Sequence, residues 1–335
     1  MTTNGLATRR VTLKDIAQSV GVSVNAASKV LNNTRSNAYV SQETRRRIVE
    51  TAGKLGYQPN FAARSLTRRR TDIVALYFDC PLRLSDSFTA ALIEGAEDGC
   101  LDRAQSLLLY SRRHEESVEE VSRKVLSGMA DGIVINYWTW PDVTDRFIQA
   151  GLPIVMYPHG HPDIPSVVID EAPAITKVIK HLYSKGHRSI YYRSYEAREE
   201  DRARLYHEAA NDLGMDFLLV PDADNQGTLT DDEKKLLSLP RDRRPTAAVC
   251  WNDGYAYKLI DYCESVGMNV PGDLAVVGFD GSRTFPERKQ PLTTVYVPWT
   301  EIARTAVSLL VDIRDGRDVP VETKLDLTLI AGQTA

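Results

Sequence analysis

Cysteine is scarce in this chain. Its 335 residues include only 4, and Cys80, Cys100, Cys250 and Cys263 stand far apart with no C-x-x-C pair. That argues against a zinc ribbon or a disulfide scaffold and fits a reducing, cytoplasmic setting. No apolar run reaches the ~18 residues that a membrane span needs. The N-terminal stretch MTTNGLATRRVTLKD has no apolar segment behind its charges, so no secretory signal is expected. Neither G-x-x-x-x-G-K-[ST] nor G-x-G-x-x-G occurs, so no phosphate-cradling loop is indicated, and no G-x-S-x-G nucleophile elbow is found. His159-Gly-His161 beside Asp163 is a weak metal pattern, better explained as a Pro/Gly-rich loop where the chain changes lobe. The reading is therefore of a non-enzyme with no cofactor, no metal and no membrane partner. There is no low-complexity tract and no repeat at solenoid spacing.

Charge and hydropathy show what is present. Hydrophobic residues make up 43% and charged residues 26%, enough for sizeable cores, and the length suits two or three domains. The net charge of −4 is divided unevenly. Residues 1–70 carry 13 Lys+Arg against 3 Asp+Glu, a balance of +10, and the rest of the chain carries 28 against 42, a balance of −14. A small basic head on a large acidic body suggests nucleic-acid binding by the head; the alternative is a solvated basic surface.

Within the head, Thr12-Leu-Lys-Asp15 is a capping-box start, followed by Leu13, Ile16, Ala17 and Val20 at helical spacing. Gly21 permits a sharp turn, and Ser23 caps a second helix from Val24 to Leu31. Helix, glycine turn and helix form the helix-turn-helix pattern. Ser41 caps a third helix with Ile48, Val49, Ala52 and Leu55 as its apolar residues and Gly56 as its stop, and Tyr57 packs on this three-helix core. Asn60 caps a short piece, Phe61–Leu66, which is marginal alone in water and needs a partner helix or DNA. A helix-permissive linker is the other reading.

From residue 73, apolar runs alternate with amphipathic stretches. The runs include Ile73–Phe78, Ser106–Tyr110, Gly132–Asn136, Pro153–Tyr157, Ser189–Tyr192, Ala247–Cys250 and Leu274–Phe279. The helical stretches include 88–103, 115–127, 171–184, 202–213, 254–266 and 300–314. This is the pattern of parallel sheets covered by helices on both faces, and the length calls for two such lobes. Ligands bind such sheets beyond the carboxyl ends of the strands. Phe88, Trp138, Trp140, Arg202, Trp251, Asn252, Asp253 and Asp280 collect there. That set suits a small polar ligand with an apolar face, such as a sugar or a nucleobase. Asp170 is either a pocket carboxylate or the cap of the helix after it, and the cap is preferred.

The segments VTLKDIAQSVGVSVNAASKVLNN and VSQETRRRIVETAGKLGYQPNFAARSL resemble the head of the lactose-repressor (LacI/GalR) family of bacterial transcription regulators. AAVCWND, NVPGDLAVVGFD and PLTTVYVP resemble the family's effector-binding body, a relative of periplasmic sugar-binding proteins. The resemblance implies a helix-turn-helix domain over 1–58, a hinge helix and linker over 59–71, and a two-lobed, periplasmic-binding-protein-like body over 72–335. It implies a cytoplasmic repressor, nucleoid-associated when it holds its operator, that binds pseudo-palindromic double-stranded DNA as a homodimer. A small-molecule effector, a sugar or sugar derivative, is expected between the lobes. The alternatives are a periplasmic-type sugar receptor or a sugar-acting enzyme, neither of which binds DNA. Ending at Ala335 with no heptad tail favours a dimer over a tail-assembled tetramer.

Val24, Asn25 and Lys29 are expected at base edges: a thymine methyl, adenine and guanine respectively. Thr12, Ser23, Ser28, Asn32, Asn60 and Arg68 are expected at the DNA backbone, with Arg69 and Arg70 continuing the basic run. By resemblance, Leu66 is a minor-groove wedge. Effector residues are Phe88 and Trp138 from the edge rule, and Arg202, Asn252, Asp280 and Trp299 by resemblance. Arg202 is placed to bind ligand oxygens beside the Asp280 charge, and Trp299 to stack. The chain departs from the family pattern at Ala27, where a bulkier residue is usual, and at Lys29, where Arg is usual. It departs again at the longer Asn33–Tyr39 connection (containing Arg35), at Leu205 in place of Gly, at Asp280-Gly281 in place of Asp-Asp, and at Val297.

Overall fold

Side-chain caps set where the head's helices begin. In the structure, a computed structural model, residues 11–32, 39–82, 87–113, 115–137, 139, 141–194, 200–221, 228–281 and 290–335 are described. Trp138, Trp140 and the Asn33–Ala38 part of the longer connection lie outside them. The chain divides into two compact units, Met1–Asp72 and Ile73–Ala335.

In the first unit, α1 (Leu13–Val20) opens on a full capping box between Thr12 and Asp15. It closes at Gly21, whose φ of 76° would strain a side chain. Ser23 Oγ accepts from the Ala26 N–H at 3.1 Å and starts α2 (Val24–Asn32). Ser41 caps α3 (Gln42–Lys54) and Asn60 caps α4 (Phe61–Arg68). Ile16, Val20, Ile48 and Ala52 form the core, with Val11, Val22, Val30, Leu31, Val40 and Tyr57 packed around it. Ala27 is fully buried.

Two expectations for α3 need correction. Val49 is 53% exposed and Leu55 is 42% exposed. Ile48 and Ala52 are four apart and share the inner face, whereas Val49 is turned about 100° away and Leu55 is already the C-cap. The hinge piece is also longer than expected, running to Arg68. Arg68 Nη2 donates to the Asn32 carbonyl of α2 at 3.2 Å, so α4 has a tie to a partner helix.

The second unit holds two α/β lobes. Lobe 1 contains β1 (Ile73–Phe78), α5 (Ser87–Asp102), β2 (Ser106–Ser111), α6 (Val118–Val125), β3 (Ile133–Asn136), α7 (Pro141–Gln149), β4 (Ile154–Tyr157) and β5 (Ser166–Ile169). Lobe 2 contains α8 (Glu171–Ser184), β6 (Ser189–Arg193), α9 (Glu200–Asn211), β7 (Asp216–Val220), α10 (Asp231–Ser238), β8 (Ala247–Cys250), α11 (Asp253–Ser265), β9 (Ala275–Asp280) and β10 (Thr293–Tyr296). The chain then returns through α12 (Trp299–Arg314) to β11 (Glu322–Leu325) in lobe 1 and finishes with β12 (Thr328–Ile330) in lobe 2. The strand orders are β11-β5-β4-β3-β1-β2 and β12-β10-β9-β8-β6-β7. Every ladder is parallel except β10 with β12.

Three crossings, before α8, at α12 and before β12, thus join the lobes. The α12 crossing seats closely on α5. A Cβ on Gly95 would stand 2.0 Å from the Thr300 carbonyl oxygen, so only glycine fits there. Arg103 then donates to Ser308 Oγ at 2.9 Å, and Arg304 pairs with Asp102 at 2.6 Å.

Candidate functional site

Two surfaces gather the candidate residues. On the head, the first turn of α2 presents Ser23, Val24 and Asn25 as exposed side chains, with Val24 45% exposed. Lys29 and Ser28 are half-buried on the next turn. Thr12 and Asn60 are exposed, and each is already a cap: Thr12 to Asp15, and Asn60 Oδ1 to the Ala63 N–H at 3.3 Å. Asn32 differs from its neighbours. It is buried, and its amide donates to Ser28 Oγ at 3.4 Å, so its side chain is spent inside the head rather than turned to a phosphate. Arg68 is exposed, and beyond its bond to Asn32 it lies 3.7 Å from Asp72. Leu66, on α4, is 81% exposed among the described residues, a large apolar side chain facing outward.

In the body, the carboxyl edges of the strands supply the second surface. Arg202, on the first turns of α9, lies over the Phe279 ring with its Cζ 3.9 Å from the centroid. Its Nη1 donates to the Trp251 carbonyl at 3.2 Å. Its Nε and Nη2 grip both carboxylate oxygens of Glu171 at 2.8 and 2.7 Å. The expected neighbour of Arg202 was Asp280; its charge partner is Glu171. Burial alone would raise the Glu171 carboxyl, but the charge and hydrogen bonds of Arg202 outweigh it and hold the pKa below the ordinary value.

Asp280 meets a different group. Trp299 Nε1 donates to Asp280 Oδ1 at 3.2 Å, and the Trp299 ring tilts against Phe88 with centroids 5.9 Å apart. Trp299 is therefore a hydrogen-bond donor here as well as an aromatic face. Asp280 has φ 103°, a left-handed conformation that is costly for a residue with a side chain and is characteristic of functional positions. Asn252 Oδ1 accepts from the Tyr255 N–H at 2.7 Å, so it serves as the cap of α11. Asp170 is the cap of α8, bonded to the Ala172 N–H at 3.2 Å.

Residue reasoning missed three participants. Glu171 was overlooked because its neighbour Asp170 already accounted for the cap; two carboxylates in succession after a strand, where one suffices, were the available signal. His159 reads in the sequence as part of a Pro/Gly-rich loop. It packs edge-on to Tyr137 at 5.2 Å and feels Glu171, Arg202 and Asp201. Its pKa is lowered, chiefly by burial. At the end of β1, Asp79 accepts from Arg112 Nε at 2.7 Å and from the Tyr77 hydroxyl at 2.8 Å.

Residues 12–60 match the description "bacterial regulatory proteins, lacI family", and residues 179–335 match "periplasmic binding protein-like domain". The chain thus joins a lacI-family DNA-binding domain to a periplasmic-binding-protein-like domain. Catabolite control protein A of Priestia megaterium is 28% identical to this chain over 314 residues, covering 90% of this chain and 91% of its own. The HTH-type transcriptional repressor PurR of Aliivibrio fischeri (strain MJ11) is 26% identical over 317 residues, covering 90% and 91%. Among solved structures, the lac repressor dimer bound to operator and the anti-inducer ONPF superposes with a TM-score of 0.81 at 21% identity, over 97% of this chain and 99% of that one. These relatives are regulators. Among the described residues, no helix is long and apolar enough to cross a membrane and no group of three metal-ligating side chains occurs.

Proposed function

We propose that this lacI-family chain represses transcription as a homodimer on a pseudo-palindromic operator, under control of a carbohydrate effector held between its lobes. The observation that carries the reading is the exposed first turn of α2 in a capped helix-turn-helix head of charge +10. α2 enters the major groove with Val24, Asn25 and Lys29 toward base edges. Ser23, Ser28, Thr12, Asn60 and Arg68 face the backbone, and Leu66 enters the minor groove. In the body, Phe88, Arg202, Asn252, Asp280 and Trp299 face the effector. The solved lac repressor, a dimer on operator, supports the assembly. Effector binding shifts the population of lobe arrangements and so the affinity for DNA, and by linkage operator changes effector affinity by the same factor. The protein acts in the cytoplasm, on the nucleoid, without enzymatic activity.

Selection from a random duplex library, followed by sequencing, tests the first half. The enriched site is expected to be two-fold symmetric, and deletion of residues 1–70 is expected to abolish enrichment. Enrichment of an asymmetric site, or none, would refute the dimeric operator reading. A thermal-shift screen against neutral sugars, uronates, sugar phosphates and purines tests the second half, since binding to the native state alone raises the melting temperature.

A further inference from the structure

Arg202 enters the cleft already neutralised. Both of its inner N–H edges are committed to one carboxylate, in the fork geometry that makes Arg–carboxylate pairs strong. The pair is largely shielded, with the Arg202 side chain 13% and the Glu171 side chain 8% exposed. Glu171 is the first residue of α8, where the helix dipole favours a negative charge. The Phe279 ring lies under the guanidinium and the Trp251 carbonyl takes a third N–H. Around His159, the shielded charges in reach are Glu171 and Arg202, which cancel, while Asp201 is exposed and paired with Arg204 at 3.3 Å. Asp280 adds a further carboxylate at the same edge of the lobe 2 sheet.

We propose that Glu171 sets the chemical class of the ligand: the cleft takes an uncharged polyhydroxylated molecule and turns away its carboxylate or phosphate counterpart. The inference rests on the reading of this cleft as the effector site. An unpaired guanidinium in a shielded cleft is an anion receptor. A guanidinium spent on Glu171 keeps its polarised N–H groups but brings no net charge. Hydroxyl oxygens can accept from such a group at no electrostatic cost, and the carboxylates around it can accept from ligand hydroxyls. An anion meets like charge across a low-dielectric gap and is repelled. Glu171 is thus a specificity residue that acts through Arg202, and it also holds the guanidinium in one orientation before the ligand arrives.

The test uses the full chain and matched pairs of probes: D-glucose with D-glucuronate, and D-galactose with D-galacturonate. Binding is read from tryptophan fluorescence, since Trp251 and Trp299 line the site. Wild type is expected to show no saturable response to either uronate. Glu171→Gln, which leaves Arg202 charged, is expected to gain a saturable uronate response at least 10-fold tighter than wild type. Adding Arg202→Gln to that variant is expected to remove the gain. Glu171→Asp, which keeps the charge but withdraws it by one methylene, should fall between wild type and Glu171→Gln and serves if the glutamine variant does not fold. Uronate binding to wild type as tight as to Glu171→Gln overturns the proposal, and so does a Glu171→Gln protein that gains nothing. The effector reading fails separately. If uronate binding appears on substitution but no cleft ligand alters operator affinity, the charge assignment stands and the effector reading falls. If a ligand from the screen controls operator binding through Arg202 while Glu171→Gln gains nothing, the reverse holds.

Discussion

The indole N–H of Trp299 donates to the Asp280 carboxylate at 3.2 Å, tying the first residue of the α12 crossing to the last residue of β9. Both residues are expected at the effector, so a ligand hydroxyl reaching Asp280 competes with a bond the protein already makes. Trp299→Phe keeps the ring against Phe88 and removes only the donor. Calorimetry on this variant should show effector affinity changed by no more than about tenfold, as for loss of one hydrogen bond of about 1 kcal/mol. A loss of about a thousandfold would mean that the indole N–H bonds the ligand itself.

Arg202→Ala is expected to weaken the fold as well as effector binding. It leaves Glu171 buried without its partner, a change that costs about 3–5 kcal/mol in buried pairs. Removing both charges, as Glu171→Gln with Arg202→Gln, should recover part of that loss. Urea unfolding of the three proteins checks this; equal stability of Arg202→Ala and wild type would show that the pair is solvated.

DNA affinity should fall on the order of 10³-fold or more between 50 and 200 mM salt if, as expected of a head of charge +10, several phosphates are contacted. Lys29→Ala should cost roughly 1–3 kcal/mol on the selected operator and little on random duplex. Equal losses on both would make Lys29 a phosphate contact.

Leu66→Ser should weaken operator binding while leaving effector binding alone. Leu66 is 81% exposed, so its loss should change stability by no more than about 0.5 kcal/mol. Anisotropy with a labelled operator and a parallel melting curve separate the two effects. An unchanged operator affinity would return α4 to the status of a linker.

Acid should destabilise the body in two windows. Burial lowers the pKa of His159 and of His187, which also sits 2.9 Å from Thr246 Oγ1. The unfolded chain therefore takes up their protons first, and stability drops as pH falls below the ordinary value of 6.5. Glu171 works from the other side: its lowered pKa gives stability that is complete above its ordinary value of 4.5 and is lost as pH falls through the folded value. Melting temperatures from pH 8 to 3 should show both steps, and His159→Gln with His187→Gln should flatten the first alone.

Much of this architecture could be read from residue order because it is local. The Thr12–Asp15 capping box, the Gly21 turn, the Ser41 and Asn60 caps and the apolar runs of β1 and β8 each depend on neighbours within a few positions. β7, β10, β11, the antiparallel β12, α7 and α10 escaped the pattern. β7 is a half-exposed edge strand, α10 is largely charged, and β12 is three residues long. The sites were less legible. Positions such as Arg202 and Asp280 could be named, but Arg202 is paired with a residue 31 positions away that only the fold brings near. Asn32 was hard to place for a similar reason: it is buried, and the groups that meet it, the Arg68 guanidinium at its carbonyl and the Tyr57 side chain, lie 36 and 25 positions away.

Gly95 has a consequence for how the body moves. With no side chain between them, α5 and the start of α12 are seated backbone to backbone, and the Arg103 and Arg304 bonds pin the same two helices further along. Although α12 departs from lobe 2 in sequence, it is mechanically part of lobe 1. Trp299 is then the end of a fixed bracket rather than a flexible strap. A ligand that drew Asp280 away from it would be expected to turn lobe 2 about that bracket and leave α12 unbent. A bulky residue at position 95 would lift the bracket off its seat, and the lobes would lose their common reference even with every effector contact intact.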